Sequence, residues 1–298
     1  MNLIALVLPD FLLIGLGYLL LHGLQYPSKF FANAERLVYY FLFPSLLFVS
    51  ILRTPLSLGE ASTLIIATLV VCVAGMALAW LAAPIFKPER MVQGSLAQCA
   101  YRFNTYMGLS LALSLAGPQG QSIMAVIVGF AVPAVNVAAV AGLARERDHR
   151  LLLELLRNPF ILATIAGFSC NVLELQPPSF ILDTLQRLGA AAIVMGLICV
   201  GASLSMQGLG TRAPLIAWMI AVRLLAMPLV ALAVGQFLPL TALEQHMLLL
   251  FSALPTASAS YILASRMGGD GRSVAATTSI ATILSAVTIP LWLQFAPS

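Results

Sequence analysis

"ALPTASASYILASRMGGDGRS", Ala253 to Ser273, is the stretch on which the reading of this chain turns. An apolar segment here holds a proline, Pro255, and four small hydroxyl residues before its first charge, Arg266. In water such a run is an ordinary loop. In oil it is an interrupted helix, and interruption must have a reason.

Composition decides the solvent. Of 298 residues, 60% are hydrophobic and 9% charged, and the mean hydropathy is +0.98. Soluble domains run near about 25% charged, so the chain reads as an all-α polytopic membrane protein. The cysteines, Cys72, Cys99, Cys170 and Cys199, all sit in apolar runs without CxxC spacing and read as small core residues. The first apolar run, 3–21, has no basic leader and no cleavage-like small-residue site, which predicts a retained span.

About 20 apolar residues cross a hydrocarbon core roughly 30 Å thick. On that measure ten spans are expected: 3–21, 35–52, 61–84, 91–116, 121–143, 158–174, 180–204, 213–236, 245–266 and 273–295. The turn-like "GPQGQ" at Gly117 to Gln121 divides the fourth from the fifth, and a polar turn near Gln207 to Arg212 divides the seventh from the eighth. With the N-terminus outside, the inner loops hold Lys29, Arg36, Lys87, Arg90, Arg145, Arg147, Arg150, Arg157, Arg212, Arg266 and Arg272, while the outer loops hold only Arg53 and Arg187. That bias places both termini on the outer side. The net charge of +4 is then a topology signal and implies no nucleic-acid partner.

Two halves resemble each other. "GPQGQS" at Gly117 to Ser122 lies over "GGDGRS" at Gly268 to Ser273, and "PDFLLIGLG" at Pro9 to Gly17 lies over "PFILATIAG" at Pro159 to Gly167. Five spans per half is an odd number, so the second half inserts upside down. The expectation is two inverted five-helix repeats, residues 1–143 and 158–298, joined by a cytoplasmic connection at 144–157. Inverted repeats are a hallmark of secondary transporters.

The opening stretch now has a place. Thr256 lies ten residues before Arg266, about 15 Å along a helix, which is mid-membrane. Asn104, fourteen residues after Arg90, is also central. Spans 4 and 9 therefore carry polar interruptions at the same depth, "RFNTY" at Arg102 to Tyr106 and "PTASASY" at Pro255 to Tyr261. Pro255 cannot donate its backbone hydrogen bond and frees a carbonyl one turn earlier. Freed backbone groups and half-helix ends at the mid-plane make a site for a small solute, and helix N-termini favour anions.

Plainer readings stand beside this one. Ala257 to Ser260 also suit a close-packed helix face, and Thr256 suits a bond to a freed carbonyl. Arg102, twelve residues past Arg90, is too deep to reach the surface comfortably, so it pairs either with a solute carboxylate or with a structural partner. Arg223 is similarly deep and reads as a structural counter-ion first. Asp10 reads as a helix cap ahead of a proton carrier. Pro44, Pro133 and Pro290 mark bends, Phe41, Phe43 and Phe48 an outward face, and His246 an interfacial position. Asn136 and Tyr261 are expected to line the site. No Walker, GxSxG or HExxH motif and no paired catalytic carboxylates are found, so no enzyme and no cofactor is expected. Proton or sodium coupling stays open. A cation carrier of the same architecture is the rival, with Asp10 as its one plausible carboxylate.

The pieces "YYFLFPSLLF", "NTYMGLSLAL", "RNPFILATIAG", "GASL" at Gly201 to Leu204 and "LPTASASYILASRMGGD" together resemble the auxin efflux carrier family over essentially the whole chain. The resemblance implies crossed, broken helices in spans 4 and 9, export of organic anions such as auxin or malonate, and location in the bacterial inner membrane. It also implies an elevator-like transport domain moving against a scaffold that forms a homodimer. Plant members carry a long central loop, which is short here. Phe103 stands where relatives often have proline, so nothing covalent forces a break in span 4. The substrate-binding residues expected are Arg102, Asn104, Thr105, Pro255, Thr256 and Ser258, with Asn136 and Tyr261.

Overall fold

Helix breaks and close helix packing, both written into the proline and glycine positions, organise the molecule. The computed structural model describes residues 3–53, 58–143, 159–205 and 210–296, and every regular element among them is helical. In chain order these are α1 (Leu3–Tyr18), α2 (Ser28–Leu37), α3 (Phe43–Leu52), α4 (Leu58–Trp80), α5 (Ala82–Phe86), α6 (Arg90–Tyr101) and α7 (Thr105–Leu143). Then follow α8 (Pro159–Val172), α9 (Ser179–Ala202), α10 (Ala213–Ala221), α11 (Met227–Phe237), α12 (Ala242–Ala253), α13 (Ala259–Arg266) and α14 (Gly271–Leu293). The connection 144–157 lies outside the described residues, as does most of the turn before Arg212.

Among the described residues six helical stretches are long and apolar enough to cross a membrane, and Val7–Gly23 and Pro159–Val172 are shorter apolar helices. One of the six, Arg90–Leu143, has 54 residues, far beyond a single crossing. It is divided twice: the helix stops between Tyr101 and Thr105, and α7 turns sharply at Ala116 and Gly117, where Gly117 takes φ +60°. A left-handed residue costs glycine nothing, and Pro118 follows it.

Two wide turns have proline as their cause. The π-helical turns Val38–Leu42 and Val222–Ala226 each run just ahead of a proline, Pro44 and Pro228. Proline lacks an N–H and its ring pushes against the carbonyl four residues back, so the turn widens. The carbonyl so freed by Pro228 belongs to Leu224, and the Trp292 indole N–H donates to it at 2.7 Å.

Contacts sort the helices into two bundles. The first comprises α1, α2, α3, α8 and α9; the second comprises α4, α6, α7 and α10 to α14. The first is held by very close backbone approach. A Cβ on Gly17 would strike the backbone carbonyl of Ile198, and one on Gly201 would strike that of Ile14, so α1 and α9 touch main chain to main chain. That is the work of the glycine in "GASL". On the other flank, Asn171 Nδ2 of α8 donates to the carbonyls of Ile51 and Leu52 at 3.1 and 2.8 Å, closing the end of α3. The bundles meet where α1, α3, α8 and α9 pack on α7, and α1 on α14.

Two readings of the sequence change. Asp10 is no cap: it lies in the body of α1, buried, with Ser110 of α7 as its hydrogen-bond donor. Of the three phenylalanines expected to face outward, only Phe41 is exposed. Phe43 is fully buried, packed on the rings of Tyr106 and Phe160, and Phe48 is half-buried.

Candidate functional site

The two helix breaks meet. Tyr101 ends α6, and Arg102 leaves it in an extended conformation (φ −80°, ψ 145°); Ala253 ends α12, and Leu254 leaves it likewise (φ −62°, ψ 145°). At the crossing the Asn104 backbone N–H donates to the Pro255 carbonyl at 2.8 Å, and the Thr256 hydroxyl donates to the Cys99 carbonyl at 2.7 Å. Phe103 and Phe251 stack edge to face behind them, ring centres 4.6 Å apart. Each break thus supplies polar partners to the other, which is how non-helical backbone survives in an apolar interior.

One end of the crossing needs a third contributor. Pro255 frees the Phe251 carbonyl, four residues back, and the last carbonyls of α12 have no helical partner. Arg223, fully buried, answers them: its Nη2 donates to Phe251 and Ser252 carbonyls at 2.7 and 3.0 Å, and its Nε to the Leu254 carbonyl at 2.6 Å. The guanidinium also lies over the Phe251 ring at 5.9 Å. A cation at a helix C-terminus is doubly favoured, by hydrogen bonds and by the helix dipole. Arg223 is therefore a structural partner of the break.

The GGD loop is structural as well. Asp270 caps α14 by accepting from the Ser273 N–H at 3.1 Å, pairs with Arg212, and receives its own place from Ser95, whose hydroxyl oxygen accepts from the Asp270 N–H at 2.9 Å. Gly268 takes φ +73°, which explains a glycine after α13.

On the opposite side of the crossing is a cavity of about 80 Å³, several times the space one water requires. The second bundle lines it with Arg102 to Tyr106, Asn136 and its neighbours on α7, and Ala257 to Ala259; the first bundle lines it with Glu35, Tyr39 and Phe160. The N-termini of α7 and α13 both border it, bringing the positive ends of two helix dipoles to its wall. Asn104 Oδ1 accepts from the Met107 N–H at 3.2 Å, fixing the amide at the start of α7, and its buried Nδ2 has no partner among the described residues. Arg102 donates from Nη1 to Gln98 Oε1 at 2.9 Å and makes no ion pair among the described residues. The concentration of unsatisfied donors is suited to a carboxylate.

Of the expected site residues, Arg102, Asn104, Thr105, Asn136 and Ser258 come together on this cavity; Pro255 and Thr256 build the crossing behind it, and Tyr261 is not in its lining. Glu35, Tyr39, Tyr106 and Phe160 are additions the sequence did not single out. Glu35 corrects the view that Asp10 alone could supply a carboxylate within the spans. It stands at the first position of the expected second span, 35–52, beside Arg36. The pairing of α2 with the cavity was the missing information.

The family described as "Membrane transport protein" matches residues 2–145 and 143–293. The chain belongs to this membrane transport family, the auxin efflux carriers. A protein of Rhizobium meliloti (strain 1021) named "Putative malonate transporter" is 25% identical over 299 residues, covering 96% of this chain and 93% of the relative. An uncharacterized transporter of Methanocaldococcus jannaschii is 26% identical over 274 residues, covering 87% of each. This auxin efflux carrier family member is a multi-pass membrane transporter and not an enzyme.

Proposed function

We propose that this transporter is a secondary carrier for a small organic anion, of the dicarboxylate class that includes malonate. One observation carries the reading: Arg102, the unpartnered amide of Asn104 and two half-helix N-termini converge on one cavity between the bundles. Donors of this kind, held in place before the solute arrives, recognise carboxylate charge. The similarity to a protein named for malonate transport supports the same class.

The mechanism we favour is elevator-like alternating access. The second bundle carries most of the cavity wall and would move as a body against the first, exposing the solute to either side in turn. The full architecture we propose is ten crossings in two inverted repeats of five, both termini on the outer face of the bacterial inner membrane, with the first bundle forming the scaffold and a homodimer contact. The near-lack of charge along α7, α8 and α14 and the inner-loop excess of Lys and Arg support this placement. Glu35 favours a second reading, a cation carrier, because it gives the cavity a carboxylate.

The test is isotope exchange and charge movement in proteoliposomes, over a panel of carboxylates, with and without proton and sodium gradients. The anion reading expects saturable signals for one class of carboxylate that vanish in Asn104→Ala. Sodium-driven or proton-driven cation flux without any carboxylate would favour the rival.

A further inference from the structure

We infer that Asp10 is a proton-binding residue at the sliding interface, and that its protonation permits one bundle to move past the other. Asp10 belongs to α1 of the first bundle and is 4% exposed. Its Oδ1 accepts from the hydroxyl of Ser110, on α7 of the second bundle, at 2.6 Å. Its Oδ2 is buried with no partner among the described residues. A carboxylate thus sits across the boundary between the two bodies, held from the far side by a single bond.

Among the described residues no cation pairs with it. Asp10 is the only charged residue of α1, α7 has none, and the helices packed around it contribute Asp183 and Arg187 of α9 and Arg272 of α14, none of which forms an ion pair with the carboxyl. The other titratable groups on these elements are engaged elsewhere: Tyr106 of α7 packs on Phe43 and Cys199 of α9 donates to the Phe31 carbonyl, while Tyr18 stacks on His22 at the far end of α1. Any displacement of α7 along α1 takes Ser110 away. An ionised Asp10 would then be stripped of its last donor inside an apolar interface, a state that strongly opposes movement. Uptake of one proton, forming an O–H bond on the unpartnered Oδ2, removes the charge and the opposition. Loss of that proton to water resets the hold. An ionisable group inside a membrane protein is expected to carry such a function.

This inference rests on the elevator reading for its effect on transport, while the proton site itself can be read without any substrate. The experiment uses the full chain in liposomes. An infrared pH titration compares wild type with Asp10→Asn, and malonate exchange is followed over the same pH range. The expected result is a carboxylic acid carbonyl band that titrates in wild type and is missing from the variant. Wild-type exchange should fall by about tenfold per pH unit on the alkaline side, against less than about twofold in the variant. Malonate's own titration is common to both, and malonate affinity should be unchanged. Asp10→Ser repeats the comparison with a smaller neutral side chain. The inference is overturned if no titrating band is lost, or if the neutral variants keep the wild-type pH profile. A band lost on substitution in a protein that moves no carboxylate at any pH would retain the proton site and sink the anion reading.

Discussion

Asn104 shows how one side chain can serve fold and site together. Its oxygen holds the first turn of α7 through the Met107 N–H, and its NH2 is left for the cavity. Replacing it by alanine removes both, whereas Asn104→Asp keeps the cap and replaces the donor by a negative charge. Asn104→Asp is therefore expected to fold like wild type, by thermal melting, and to lose organic-anion exchange. Glu35 acts in the opposite sense. A negative charge on the cavity wall opposes an anionic solute, and at partly screened separations such a charge is worth on the order of 1 kcal/mol. Glu35→Gln should tighten dicarboxylate binding about fivefold, measured by competition with a labelled substrate; an unchanged affinity would remove Glu35 from the site's electrostatics. Arg102 was legible from depth alone, since charge so far inside a span needs a purpose. Glu35 was not, because proximity across the fold leaves no mark on the local sequence.

At the scale of elements, the breaks are built from mutual satisfaction more than from proline. Pro255 announces one of them. The other has Phe103 in place of proline and breaks all the same, because Pro255 and Thr256 supply partners for Asn104 and Cys99 across the crossing. The sequence pointed to the depth of both breaks through its polar residues, while the partners were visible only once the helices crossed. Arg223 follows the same logic: its depth was evident, its three carbonyl partners on and just after α12 were not. Arg223→Met should lower stability by about 3 kcal/mol, because several buried carbonyls lose a charged donor together. The expected outcome is a lower unfolding temperature in detergent, with Arg223→Lys failing to restore it, since one ammonium cannot reproduce the planar fork. Thr256→Val should cost less, about 1 to 2 kcal/mol for one unpaired carbonyl. In the first bundle, Gly201→Leu is expected to part α1 from α9 and abolish folding, whereas Gly15→Ala, which meets open space, should be tolerated.

For the whole molecule, composition settled the class and the charge asymmetry of the loops proposed an orientation. Substituted cysteines at Lys87 and Arg187 should label from the inner and outer side respectively; the reverse pattern would invert the proposed topology. What the sequence could not give was the division into two bundles, since α1, α2 and α3 leave α4 to α7 and join α8 and α9 across the length of the chain. That division puts the cavity on the boundary between the two bundles, and in the proposed mechanism one of them carries the solute. The central claim is that this cavity holds a small organic anion through Arg102. It is tested most directly by equilibrium binding of radiolabelled malonate to purified wild type and to Arg102→Gln, with folding of each checked by melting. Saturable binding weakened by about tenfold or more, the loss expected for a charge-assisted bond, is the result predicted. Undiminished binding by a folded Arg102→Gln would contradict it.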